Sequence, residues 1–159
     1  MPLSSEITDA LGDELWACLN EKRTMAPITE RYPDMTIDDA YAVNLRLRKL
    51  RSARGDQLVG KKIGVTSHAV QSMLGVDQPD FGFLFNTMVY SRVMPISEQL
   101  IQPRAEGELA FILKDSLQGP GITDEQVLAA TESVVPCFEV VDSRIADWNV
   151  KIQDTIADN

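Results

Sequence analysis

The chain has 159 residues, a hydrophobic fraction of 44%, a charged fraction of 25% and a formal net charge of −9 at pH 7. That length supports one domain with a real core, and the composition is ordinary for a soluble globular protein. The acidic balance argues against broad binding to nucleic acid or to an anionic membrane, both of which need a basic footprint, and no apolar run approaches a membrane span.

From the N-terminus, Met1-Pro2-Leu3-Ser4-Ser5-Glu6 lacks the basic start and apolar run of a signal peptide. Ser4 or Ser5 can cap a first helix running to about Lys22, with Ile7, Leu11, Leu15 and Leu19 recurring every fourth residue as its apolar stripe. Residues 23–35, which contain Pro27 and Pro33, read as a connection. A second helix is expected from Thr36, with Asp38 and Asp39 favourable in its first turn and Gly55 as its stop. Val43, Leu47 and Leu50 mark its buried face. Arg46, Arg48, Lys49, Arg51 and Arg54 crowd its C-terminal half, which reads as a solvated cationic face at the negative helix end, with a phosphate- or acid-binding patch as the alternative. Cys18 and Cys137 are too few and too far apart for a disulfide framework or a zinc knuckle, so a reducing cytoplasm is the expected setting.

Residues 57–67 read as a strand interrupted by Gly60 and Gly64, and glycine inside a strand often marks a bulge or a close backbone approach. Lys62 lies between them and could point into a cleft, although a strand lysine more often faces water. A short helix follows from His68 to Leu74. His68 is the single histidine, so any histidine-based metal site or triad would hang on it alone. Gly75 to Phe85 reads as an Asp-Gln-Pro-Asp turn entering a strand, or as a loop that sets a carboxylate beside an apolar pocket, where its pKa could rise enough for acid–base work. Residues 86–101 suggest strand, turn, strand, with Pro95 between them. Thr123-Asp124-Glu125-Gln126 resembles a capping box that opens a helix to about Ser133.

The chain is organised around Gln102-Pro103-Arg104-Ala105-Glu106-Gly107-Glu108-Leu109-Ala110-Phe111, a strand entered from a proline turn. Alternation puts Glu106 and Glu108 on one face, where two carboxylates repel each other and need water, basic side chains or a metal ion to compensate. A second apolar run, residues 134–141, carries Glu139. Three glutamates on two strand-like runs suit a hard cation such as Mg²⁺ or Mn²⁺ if those strands are neighbours; the bland alternative is three solvated surface carboxylates.

Four segments, in order, carry a resemblance: Gly60-Lys61-Lys62-Ile63-Gly64-Val65-Thr66-Ser67, then Leu74-Gly75-Val76-Asp77-Gln78-Pro79-Asp80-Phe81-Gly82, then Gln102-Pro103-Arg104-Ala105-Glu106-Gly107-Glu108, and finally Glu139-Val140-Val141-Asp142-Ser143-Arg144-Ile145 with Asp147-Trp148. Over essentially its whole length the chain resembles the 2-hydroxypenta-2,4-dienoate (2-oxopent-4-enoate, vinylpyruvate) hydratases of the fumarylacetoacetate hydrolase superfamily. The resemblance implies an α/β (α+β) fold with N-terminal helices and a mixed, rolled β core. It implies a single domain, with residues 1–56 as its helical part and 57–159 as the first part of a β-rich catalytic core. It implies Mg²⁺ or Mn²⁺ held by Glu106, Glu108 and Glu139, and substrate or proton-transfer roles for Lys62 and Asp80. A small 2-hydroxydienoate substrate, a cytoplasmic homo-oligomer and a complex with 4-oxalocrotonate decarboxylase are the implied partners. The alternatives are decarboxylation of the 4-oxalocrotonate type, or a catalytically incomplete chain that binds only metal or a partner. Family members are longer, and Asp154-Thr155-Ile156-Ala157-Asp158-Asn159 shows no pattern of a terminal helix, closing strand or polar tail, so a fragment is expected.

Overall fold

The computed structural model describes residues 2–159 and divides them into two compact units. The larger takes the chain to Gln102 and resumes at Ser143, while the smaller is Pro103–Asp142. The units divide the chain at 102/103 and 142/143, not at residue 56, and four of the helices described follow that residue.

In the larger unit, α1 (Ser5–Glu21) and α3 (Ile37–Arg54) pack together, and α7 (Ile152–Asp158) lies against α3. Ser4 caps α1, and its buried stripe runs through Leu11, Leu15 and Cys18, with Leu19 only half-buried. Thr36 and Asp39 close a reciprocal capping box on α3, and Gly55 ends it with φ 102°, a left-handed position that glycine adopts without steric cost. The region 23–35 contains a helical turn, α2 (Ile28–Arg31), which contacts α7.

The terminal helix is a correction to the expected absence of one. Ile152, Ile156 and Ala157 are buried in the core that α7 shares with α3, and a four-residue spacing aligns the two isoleucines. Asp154, fully buried, accepts from the Thr29 N–H at 3.0 Å, the Thr29 hydroxyl at 2.6 Å and the Lys151 N–H at 3.0 Å. Asp158 accepts from Arg144 Nε at 2.6 Å and from the Ser143 hydroxyl at 3.1 Å. These long-range anchors leave no trace in a short window of sequence.

The basic face of α3 is partly solvated and partly paired. Arg46 pairs with Asp13, and Arg54 and Arg51 share Asp56. Arg48 lies 4.9 Å from the Phe83 ring centroid, and Arg51 packs over Phe85 and Trp16. Arg48, Lys49 and Arg54 are exposed, as a solvated face requires, while Arg46, Arg51 and Arg54 are matched by carboxylates and Arg48, Arg51 and Arg54 lie over aromatic rings.

The strands β1 (Leu58–Gly64) and β2 (Asp80–Phe85) form an antiparallel pair linked through α4 (His68–Leu74). Residues 86–101 differ from the strand–turn–strand expectation: a 3₁₀ turn covers Asn86–Met88 and a short helix, α5, covers Ile96–Gln99. Pro95 sits at the N-cap of α5, where its missing N–H costs nothing.

The smaller unit is a long hairpin with one helix. β3 (Arg104–Leu113) and β4 (Thr131–Val141) run antiparallel, and α6 (Asp124–Ala130) leads directly into β4. α6 opens on the expected Thr123/Gln126 capping box but stops at Ala130, because Thr131 already belongs to the β-branched strand. The mixed helix-and-strand class is as expected, and the strands described form two separate antiparallel pairs.

Candidate functional site

Two constellations carry chemistry, one in each unit.

In the smaller unit, the period of two sets Glu106 and Glu108 on one face of β3, and the register places Glu139 directly across from Glu106. One carboxylate oxygen from each lies within 4.8 Å of the other two. Three atoms that close share a point no more than about 2.8 Å from all of them, and Mg²⁺ or Ca²⁺ binds oxygen at about 2.0–2.6 Å. The site therefore fits a hard divalent cation with only a slight inward movement. Glu106 and Glu108 are exposed and Glu139 is half-buried, which leaves room for further oxygen ligands. Cys137 faces Glu108 across the ladder and shares this face, but a soft thiol is a poor ligand for such an ion.

In the larger unit, Lys62 Nζ lies 3.3 Å from Asp80 Oδ1. The Lys62 side chain is 14% exposed and that of Asp80 1%. Asp80 sits at the mouth of β2, opposite Gly64, and Lys62 lies opposite Gly82. Asp80 Oδ2 is buried and has no hydrogen-bond partner among the described residues. A buried carboxylate with one oxygen on an ammonium and the other unmatched is costly for stability and suits a group that must bind or pass a proton. Tyr41 of α3 faces the same carboxylate. Burial pushes its phenol above the usual range, the Asp80 charge adds to the rise, and a hydrogen bond with the Phe81 backbone opposes it. Just past β1, Val65 has φ 56°, a left-handed conformation that a β-branched residue adopts only under constraint, and its carbonyl accepts from Gln71 Nε2 at 2.9 Å.

The structure thus brings Glu106, Glu108 and Glu139 together, and separately Lys62 with Asp80. The residue-level expectation that Lys62 faces water is replaced by a mostly buried ion pair. His68 opens α4 and is exposed. Tyr41 and Asn159, both beside the hairpin, carried no local signal; Gly82, between two phenylalanines, carried one.

No protein-family model matches the chain. It is 58% identical over 159 residues to a 2-hydroxypent-2,4-dienoate hydratase of Pseudomonas putida, covering 99% of this chain and 72% of that one. It is 56% identical to a 2-hydroxyhexa-2,4-dienoate hydratase of Comamonas testosteroni, covering 97% and 60%, and 44% identical to a 2-keto-4-pentenoate hydratase of Paraburkholderia xenovorans, covering 93% and 55%. Among solved structures, it matches the 4-oxalocrotonate decarboxylase of Pseudomonas putida G7 complexed with magnesium and adipate, with a TM-score of 0.89, 32% identity, and coverage of 99% of this chain and 60% of that one. A second structure of that decarboxylase, with calcium and acetate, gives 0.90 and 34%. The chain spans between 55% and 72% of the length of these proteins. The family expectation is met: the chain belongs to the 2-hydroxypenta-2,4-dienoate hydratases of the fumarylacetoacetate hydrolase superfamily.

Proposed function

We propose that this chain works in a hydratase that adds water to 2-hydroxypenta-2,4-dienoate, giving 4-hydroxy-2-oxopentanoate, in meta-cleavage degradation of aromatic compounds. The observation that carries the reading is the convergence of Glu106, Glu108 and Glu139 on one face of the β3–β4 hairpin. These residues would hold Mg²⁺ or Mn²⁺, which when bound supplies a Lewis acid for the carboxylate and C2 oxygens of a 2-oxo acid. Asp80 is the acid–base residue. It delivers a proton at C5 as the C2 hydroxyl gives up its own proton to solvent and the dienol becomes an α,β-unsaturated ketone, and is reprotonated by the water whose oxygen joins C4. C3 collects a proton from solvent, equal to the one the C2 hydroxyl released, so the net change is the addition of one water. Lys62 holds the Asp80 carboxyl by its ammonium and places positive charge where the enolate forms. A cytoplasmic homo-oligomer, and its association with a 4-oxalocrotonate decarboxylase, belong to the same proposal.

The similarity to a decarboxylase structure supports a second reading, decarboxylation of 4-oxalocrotonate. The higher identity to hydratases and the intact Asp77-Gln78-Pro79-Asp80-Phe81-Gly82 segment favour hydration. The test follows the dienol absorbance with Mg²⁺ or Mn²⁺ and again with a chelator. Metal-dependent formation of 4-hydroxy-2-oxopentanoate is expected. Release of CO₂ from 4-oxalocrotonate in its place would select the second reading, and metal binding with neither turnover would leave a binding role. Lys62→Met and Asp80→Asn are expected to lower turnover about 10²- to 10⁴-fold with metal binding retained. Wild-type rates would remove that residue from the mechanism.

A further inference from the structure

We propose that Gly82, Gly64 and the side chain of Asn159 are positioning residues that hold Lys62 across the β1–β2 hairpin with its ammonium on Asp80. The inference rests on the reading of Lys62 and Asp80 as the proton-transfer pair and adds what fixes their geometry. A Cβ placed on Gly82 would lie 2.7 Å from Lys62 Cε and 3.0 Å from its Cγ. One placed on Gly64 would lie 2.3 Å from Asp80 Oδ1 and 2.9 Å from Lys62 Nζ. The lysine stem therefore lies flat on the bare backbone of β2, and the ion pair itself sits on the bare backbone of β1. Neither glycine has a positive φ, so the backbone accepts alanine and only the space above it is at stake.

Asn159 closes the other side. Its Oδ1 accepts from the Phe83 N–H at 2.7 Å and its Nδ2 donates to the Phe83 carbonyl at 3.1 Å, so one amide side chain does for β2 what a neighbouring strand would do. Asn44, buried on α3, donates to the Ile156 carbonyl at 2.8 Å and to Asn159 Oδ1 at 3.3 Å, which steadies that clamp. Asn159 Oδ1 would also be 3.2 Å from a Gly82 Cβ, so Lys62 and Asn159 flank the same glycine.

Gly60 is the internal control. It lies in the same hairpin, and a Cβ there would meet Leu84 alone, its Cδ1 at 3.6 Å and its Cβ at 3.8 Å, both ordinary contacts. In Gly82→Ala the nearest obstacle is the stem of a flexible side chain, so the hairpin survives and Lys62 is pushed off Asp80. In Gly64→Ala the obstacle is a carboxylate 1% exposed that has nowhere to go, so that variant also loses stability.

The experiment is amine acylation of the whole chain, read residue by residue by mass spectrometry, for wild type, Gly60→Ala, Gly82→Ala and Asp80→Asn. Lys62 is expected to react more slowly than the exposed Lys61 in wild type and in Gly60→Ala. In Gly82→Ala it is expected to react at least about tenfold faster, the factor set by loss of one charge-assisted hydrogen bond, approaching Asp80→Asn while the unfolding midpoint stays near wild type. Unchanged Lys62 labelling in Gly82→Ala overturns the proposal, as does an equal rise in Gly60→Ala. If Gly82→Ala loses its cooperative unfolding transition, Asn159→Ala carries the same comparison, with the same two outcomes. Where the wild type turns over, kcat falls in Gly82→Ala at unchanged Mg²⁺ affinity. A wild type without turnover refutes the functional reading and leaves the labelling result to decide the positioning role.

Discussion

Replacing Asp154 by alanine tests the anchoring of the terminal helix. The carboxylate is fully buried and serves three donors: the Thr29 N–H, the Thr29 hydroxyl and the Lys151 N–H. Alanine strands the two buried Thr29 donors, while Lys151 is exposed and its N–H can turn to water. At about 1 kcal/mol for each buried donor left unsatisfied, and more for a partner that was charged, the loss comes to about 2–3 kcal/mol. That is a large share of the roughly 5–15 kcal/mol that holds a typical domain together. Asp154→Asn keeps an acceptor for the Thr29 N–H, and its amide can donate to the Thr29 hydroxyl, while the Lys151 N–H loses its acceptor, so its cost is about 1 kcal/mol. Trp16 and Trp148 both belong to the larger unit, so tryptophan fluorescence during urea unfolding reports on that unit. The midpoint is expected to fall strongly for alanine and slightly for asparagine, at similar slope. An alanine variant within about 1 kcal/mol of wild type would refute the reasoning, since it would mean that water satisfies these donors at no cost.

Acid is expected to weaken the same unit. Hydrogen bonding from Arg54, opposed by burial and aided by the charges of Arg54 and Arg51, holds the Asp56 carboxyl below its usual range. For Asp39, burial acts upward, yet hydrogen bonds from the Thr36 hydroxyl and N–H and the Leu3 N–H bring it below its usual range as well. A carboxylate whose folded pKa is depressed contributes stability that is complete above its unfolded value, near 4, and is lost as pH falls through the folded value. Urea midpoints are therefore expected to hold from neutrality to about pH 5 and to decline below it, and Asp56→Asn to flatten that decline. In the smaller unit, Glu106→Gln removes one charged ligand and is expected to weaken Mg²⁺ binding at least about tenfold by calorimetry. Unchanged affinity would contradict the ligand assignment.

What could be seen in the sequence was what local rules govern. Thr36, Asp39 and Gly55 bound α3 because caps act within one helical turn. Glu106 and Glu108 share a face because strand alternation is strict, and their meeting with Glu139 needed only that β3 and β4 be neighbours. Asp80 was visible as a carboxylate beside a glycine and aromatics, but not its pairing with Lys62, which depends on the register of a hairpin closed through α4. The terminal helix was missed because Asp154 and Asp158 are anchored by Thr29 and Arg144, far away in sequence for the first and across a turn for the second. Residues 86–101 misled because short apolar runs fit strands and single helical turns alike.

The pairing of Glu106 with Glu139 has a consequence for the assembly of the hairpin. Like charges placed opposite each other disfavour this alignment, and sliding β4 by one residue would send Glu139 to the other face and relieve the repulsion. A divalent cation reverses that preference, since only the observed alignment gathers all three carboxylates on one side. The ion would then select among strand alignments as the chain folds. Amide exchange along β3 and β4 would slow on adding Mg²⁺, in the alternating pattern of this one ladder.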